Sequence, residues 1–380
     1  MKHLNKLIEA HRIIVCVGSG GVGKTTTSAA IALHAACSGR RALVLTIDPA
    51  KRLANSLGLK SLNHTAAQID LNALTNRDDC NPEGELCAMM LDMKEGFDDL
   101  VKNHCHPNES QRILTNRLYK RFSTSLAGAL EYAAVERLYT LYQDERYDLI
   151  VLDTPPTQHA LDFLDAPNRL HAALENSALQ WLYQPALATG KVSLGLLRLG
   201  ARGLRKILSK LTGGDLLNDI AEFLEALSPL YEGIVSRSQT VSALLHSDKS
   251  AFLVITSPDP MTLKDARLFE EKLKEMGLLL GGIIVNRVHV SPLHGEETEQ
   301  IAISINQTIN LILEEPPDPA FTEVLVKNAM DFARLASGDL KAIAALNDTS
   351  QTQISTVPLY DTDIHNIEGL LQIRRDIFSP

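Results

Sequence analysis

Aromatic residues are scarce in this chain of 380 residues: 5% of the total, with a single tryptophan. That leaves too few flat rings for a stacking platform on single-stranded nucleic acid. Positive charge is not in excess either. The 46 acidic residues outnumber the 37 basic ones, a formal net charge of -9, and nucleic acid is not an expected partner. No run of about 18 apolar residues occurs, so no membrane-spanning helix is expected. Met1 to Arg12 is mixed and polar, unlike a secretory leader. The 5 cysteines (Cys16, Cys37, Cys80, Cys87 and Cys105) are odd in number and irregularly spaced, which does not read as a disulfide framework. Internal repeats and low-complexity tracts are missing too. What remains is ordinary globular composition, long enough for one large or two ordinary domains. The expectation is a soluble, cytoplasmic protein.

Short apolar runs alternate with helical periodicity. Arg12–Val17, Ala42–Ile47, Cys87–Asp92, Asp148–Asp153, Phe252–Thr256 and Gly282–Asn286 read as buried strands. Thr25–Ser38, Leu126–Gln143 and Met261–Met276 read as helices, with a shorter helical stretch near Phe97–Lys102. Such alternation implies right-handed crossovers and a mainly parallel, doubly wound α/β sheet covered on both faces. The expected organisation is a core in two parts, 1–160 and 248–346. A helical insertion, 161–247, divides them. A polar linker, 347–356, leads to a C-terminal segment, 357–380, that returns to the core.

Gly18-Ser19-Gly20-Gly21-Val22-Gly23-Lys24-Thr25 fits the spacing G-x-x-x-x-G-K-[ST], between a strand and a helix. Glycines let backbone N–H groups approach a phosphate with no Cβ in the way. The helix that starts near Lys24 adds its positive end. Lys24 would neutralise the β- and γ-phosphates, and the Thr25 hydroxyl would ligate Mg²⁺. The fold class is therefore a P-loop NTPase with a helical insertion. Asp48 and Asp153 each close a predicted strand, where a doubly wound sheet would aim them at the same crevice. Asp153 has the form of the acid that holds Mg²⁺ through its water shell, and Asp48 could position or deprotonate an attacking water. Either could instead be a turn residue or a helix cap.

Gly20-Gly21-Val22-Gly23-Lys24-Thr25-Thr26 resembles the deviant Walker A loop of the MinD/ParA-like P-loop ATPases. Asp48-Pro49-Ala50 and Asp153-Thr154-Pro155-Pro156-Thr157-Gln158-His159 are similar to switch I and switch II of the arsenite-pump (ArsA) ATPase family. That family includes the tail-anchored-protein targeting ATPases. The resemblance extends over nearly the whole chain and is least diagnostic in the helical part. It implies an ATPase that uses ATP, ADP and Mg²⁺ and works as a dimer facing across its nucleotides. Asp48 would then activate water, Asn286 would read the adenine edge, and Pro358 and Leu359 would lie near the base.

Departures from the family pattern shape the alternatives. Ser19 stands where the family's signature lysine is usual, and Gln158 where a glycine is common. The leading expectation is a nucleotide switch coupled to a protein client or partner subunit. The alternatives are a low-turnover, nucleotide-holding subunit of a heterodimer with a related ATPase, or an arsenite-pump subunit. No cysteine follows Cys105, so a three-cysteine arsenite site is unsupported. His104-Cys105-His106 reads as a loop before it reads as a metal cluster. Lys191 to Gly214 carries six basic residues, no acid and a stripe of leucines at helical spacing. It could meet a hydrophobic client, a partner subunit, a membrane surface or the core. No methionine lies between Met93 and Met261, unlike the methionine-rich grooves of targeting relatives.

Overall fold

A computed structural model of the chain describes residues 2–48, 52–74, 84–116, 119–120, 129–155, 233, 235–291, 298–312 and 318–378. Among them an eight-stranded sheet carries the fold: β1 (Ile13–Val17), β2 (Arg41–Thr46), β3 (Ala67–Gln68), β4 (Glu85–Met90), β5 (Leu149–Asp153), β6 (Ser250–Thr256), β7 (Leu280–Val288) and β8 (Ile354–Pro358). Their order is β3-β4-β2-β5-β1-β6-β7-β8. Every pairing is parallel except the edge pair β3–β4. From the central strand β1 the chain first builds one side of the sheet, β2 to β5, and then the other, β6 to β8. That reversal opens a crevice at the carboxyl ends of the middle strands, where ligands bind in sheets of this kind.

The central strands are buried on both faces because successive side chains point to opposite sides. Ile13, Val15 and Val17 enter one core cluster, while Ile14 and Cys16 enter the other. Helices cover both. On the first side lie α4 (Met93–His104), α6 (Ala129–Gln143) and α7 (Pro260–Glu275). On the second lie α1 (Lys2–Ala10), α2 (Lys24–Cys37) and α10 (Ile367–Phe378). Between these come α3 (Arg52–Ser56), α5 (Pro107–Thr115), α8 (Thr298–Ile312) and α9 (Pro319–Thr349).

The six predicted strands and the predicted helices at 25–38, 126–143 and 261–276 recur within a few residues. The linker expected at 347–356 is corrected at both ends. Helix α9 runs on to Thr349, and β8 starts at Ile354, so only Ser350 to Gln353 connect them. Polar composition misled there because the end of α9 is solvated on most sides. The edge strands β3 and β8 and the helices α1, α8 and α9 had no counterpart in the sequence reading. Cys37 corrects the cysteine reading: it is disulfide-bonded, whereas Cys16, Cys87 and Cys105 are free. No described helix is long and apolar enough to cross a membrane. Most of the expected insertion, including 191–214, lies outside the described residues, as does Gln158 just before it. Its described end is helical over 235–245, and there Arg237 Nε donates to Glu136 Oε2 of α6 at 2.7 Å.

Helix α2, which carries the P-loop lysine, is clamped to α10 by an aromatic stack. The His34 ring lies 3.8 Å from that of Phe378 at an interplanar angle of 11°, and Arg374 Nε donates to His34 Nδ1 at 3.4 Å. Burial, reinforced by the Arg374 charge, pushes the imidazole down to about 4. Between pH 6.5 and about 4 the unfolded chain therefore takes up a proton that the folded chain refuses. The stabilisation is present above pH 6.5 and is lost as pH falls through that window. Acidification across it should cost about 2–3 kcal/mol, and His34→Gln should remove most of that slope. Urea melts at several pH values on both proteins measure it.

Candidate functional site

The loop between β1 and α2 is built for a ligand that approaches its backbone. A Cβ on Gly18 would lie 2.0 Å from the carbonyl oxygen of Ile255, so no other residue fits there. Gly21 and Gly23 hold φ of 80° and 91°, the left-handed region that glycine enters without strain. Gly23 caps α2 with no side-chain hydrogen bond, which leaves the first-turn N–H groups open to an anion. Lys24 folds back over the loop. Its Nζ donates to the carbonyls of Gly18 at 2.8 Å and Ser19 at 2.7 Å. Burial lowers the Lys24 pKa, while Asp153 and Asp48 act in the opposite direction. Gly20 sits exposed at the loop tip. Val22 is buried.

Asp153, the last residue of β5, is fully buried and gathers the site around itself. Its Oδ2 accepts hydrogen bonds from Thr25 Oγ1 and Thr46 Oγ1, each at 2.8 Å. Its Oδ1 is buried with no hydrogen-bond partner. Burial pushes this carboxyl up to about 6, against the lowering effect of the two hydroxyls. Thr46 Oγ1 also accepts the N–H of Asp48 at 3.2 Å, so one hydroxyl ties the ends of β2 and β5 together. Asp48 lies two residues beyond β2, buried, with Oδ2 3.6 Å from Nη1 of Arg52. Asp153 thus stands where the sequence put it, and Asp48 slightly past the strand it was thought to end.

The pocket over these groups has a volume of about 730 Å³, in the usual range of roughly 300–1,000 Å³ for small-molecule sites. Gly21, Gly23, Lys24, Thr25 and Thr26 line it on one side, with Asp48 beside them. Asn286, Arg287, Pro358 and Leu359 line it as well. Asn286, read from the sequence as the last residue of a strand, lies inside the longer β7. Its Nδ2 donates to Val22 O at 2.9 Å. The same nitrogen occupies the space that a Cβ on Gly23 would need, 2.2 Å away. The next residue, Arg287, has φ of 62°, and the β7–β8 register shifts between Val285 and Val288.

The two ends predicted from separate motifs therefore meet in one crevice. It combines a glycine-cradled, positively charged helix terminus with a buried hydroxyl–carboxylate cluster and an apolar mouth, as a nucleoside triphosphate requires. Residues 11–303 match the family model of anion-transporting ATPases. The chain belongs to that family. It shares 27% identity over 292 residues, 76% of each chain, with ATPase get3 of Aspergillus terreus. It shares 24% over 275 residues, 71% of this chain and 73% of the relative, with the ATPase ASNA1 homolog 1 of Paramecium tetraurelia. This chain is an ATP-binding and ATP-hydrolysing protein.

Several residues in and beneath this ATPase's pocket were not found by sequence reasoning. Thr46 was legible only as the one hydroxyl in an apolar strand. Arg52 and Arg287 carried no signal beyond their charge. At Ser19, where the family's signature lysine is usual, Oγ donates to Asp265 Oδ2 of α7 at 2.6 Å, pinning the shoulder of the loop within the chain itself. Pro49, Ala50 and Pro156 to His159 lie outside the described residues. His104 faces Glu136 Oε1 at 3.6 Å, while His106 begins the next helix, so the two imidazoles serve separate contacts.

Proposed function

We propose that this ATPase is a nucleotide switch that couples its ATP state to the binding of a protein client or partner subunit. The observation that supports this most is the pair of hydrogen bonds accepted by Asp153. One carboxylate oxygen is held by Thr25 of the P-loop and by Thr46 beside Asp48. Any change in the Thr25 hydroxyl is thereby felt where the chain leaves β2 and β5. Those two exits lead into the segments that resemble switch I and switch II, and a switch needs such a two-state element next to the phosphates.

Mg²⁺ fits the residues present. The unpartnered, buried Oδ1 of Asp153 is an orphan acceptor that a water of the ion's shell would satisfy, and Thr25 supplies a hydroxyl oxygen beside it. Bound there, the ion would neutralise charge on the transferring phosphoryl group. Lys24 would exchange its loop carbonyls for phosphate oxygens, and the N–H groups from Gly20 to Thr26 would cradle them. Asp48 would orient the attacking water and accept its proton. Asn286 would meet the adenine edge, and Pro358 and Leu359 would lie near the base. The active form would be a dimer, either of two copies or of this chain with a related ATPase. The helical region 161–247 would carry the readout.

The test is turnover and molecular mass, each with and without ATP and Mg²⁺. The expected result is ADP and free phosphate as the only products, with a mass that changes with the nucleotide state. Product release with the same mass in every state would leave a hydrolase and remove the switch.

A further inference from the structure

Only two non-glycine residues among those described have positive φ, Glu145 and Arg287. Glu145 lies in the exposed turn before β5, an ordinary place for such a backbone. Arg287 lies inside β7, where neighbours on both sides are buried and it alone is exposed. In a regular strand, Asn286 and Arg287 would point to opposite faces of the sheet. Here the irregular pairing with β8 and the left-handed residue break that alternation, and both line the same pocket. Bulges of this type re-aim side chains next to active sites, and strained residues persist where the surrounding structure holds them for a purpose. Among the described residues no carboxylate lies within ion-pairing distance of the Arg287 guanidinium.

The apolar wall at this mouth is equally unspent. Leu359 leaves 44% of its surface exposed although its N–H is fixed to Val288 O at 2.9 Å. The phosphate end is already defined elsewhere, by the open terminus of α2 and by Lys24. Asn286, fixed to the loop carbonyl of Val22, stands next to Arg287 in the chain. A planar guanidinium stacks on a flat, electron-rich ring, and the base of a nucleotide whose phosphates sit on the loop is such a ring.

We propose that Arg287 is a base-binding residue, whose guanidinium stacks on the purine ring of the bound nucleotide at the mouth formed with Pro358 and Leu359. This rests on the nucleotide reading above and deepens it. Selectivity for a purine nucleotide over bare triphosphate then comes largely from one strained strand position, and not from the P-loop.

Titration calorimetry with ATP and with inorganic tripolyphosphate tests it on the full chain. The unmodified protein is compared with Arg287→Gly, which keeps the backbone shape without strain, and with Arg287→Asn, which also tolerates positive φ. Both variants should fold, and Arg287→Gly should melt no lower than the parent. Each should bind ATP roughly 3- to 30-fold more weakly, with tripolyphosphate affinity unchanged. Unchanged ATP affinity in both variants would overturn the proposal while leaving the nucleotide site intact. Equal losses for ATP and tripolyphosphate would overturn it in favour of a phosphate contact. Failure of the unmodified protein to bind ATP would remove the nucleotide reading itself, and the proposal with it.

Discussion

Lys24→Ala should abolish tight ATP binding, weakening it by at least ~100-fold through loss of charge-assisted hydrogen bonds in a buried setting. Lys24 is 6% exposed and its ammonium is held by two loop carbonyls, so it is already largely desolvated beside the start of α2. Removing it takes the one lysine from the described residues that line the pocket and leaves the phosphates to the helix terminus, the glycine amides and whatever Arg52 and Arg287 supply. The carboxylates of Asp48 and Asp153 would then repel the nucleotide unopposed. Calorimetric titration with ATP in Mg²⁺ reads the effect, and a thermal melt checks that the variant folds. Affinity like that of the parent would place the triphosphate elsewhere.

Asp48→Asn should separate binding from chemistry. The amide keeps the shape of the side chain and the backbone bond from Asp48 N–H to Thr46, so the pocket should persist. It cannot take a proton from water. Turnover should fall by roughly 10²- to 10⁴-fold, the usual contribution of a positioned general base, with ATP affinity within a few-fold of the parent. Single-turnover phosphate release together with a binding titration distinguishes the two effects. Normal turnover would move the base to another group. Asp153 is the poorer candidate for that work, because its Oδ2 is occupied by Thr25 and Thr46.

The two acids show how much of the site the sequence carried. A single hydrophobic run followed by aspartate was enough to place Asp153 at the carboxyl end of a central strand, since strand direction and sheet type follow from βαβ order. The same logic placed Asp48 within two residues. It could not reveal that Thr46 connects them, because a threonine inside a strand is equally common as a surface residue. Asn286 was found by resemblance, yet its bond to Val22 spans 264 residues of sequence and has no local signature.

The sequence by itself determined the elements whose signal is local. The glycine pattern of 18–25 demands a backbone that only glycine adopts, and the apolar runs of β1, β2, β5 and β6 admit only a buried, parallel sheet. The ionisation of Asp153, the stack of His34 on Phe378, the latch of Ser19 on Asp265 and the turning of Arg287 into the pocket were decided by tertiary structure alone. Each depends on groups brought together from distant segments, where burial and geometry set charge and direction, and no spacing along the chain encodes either.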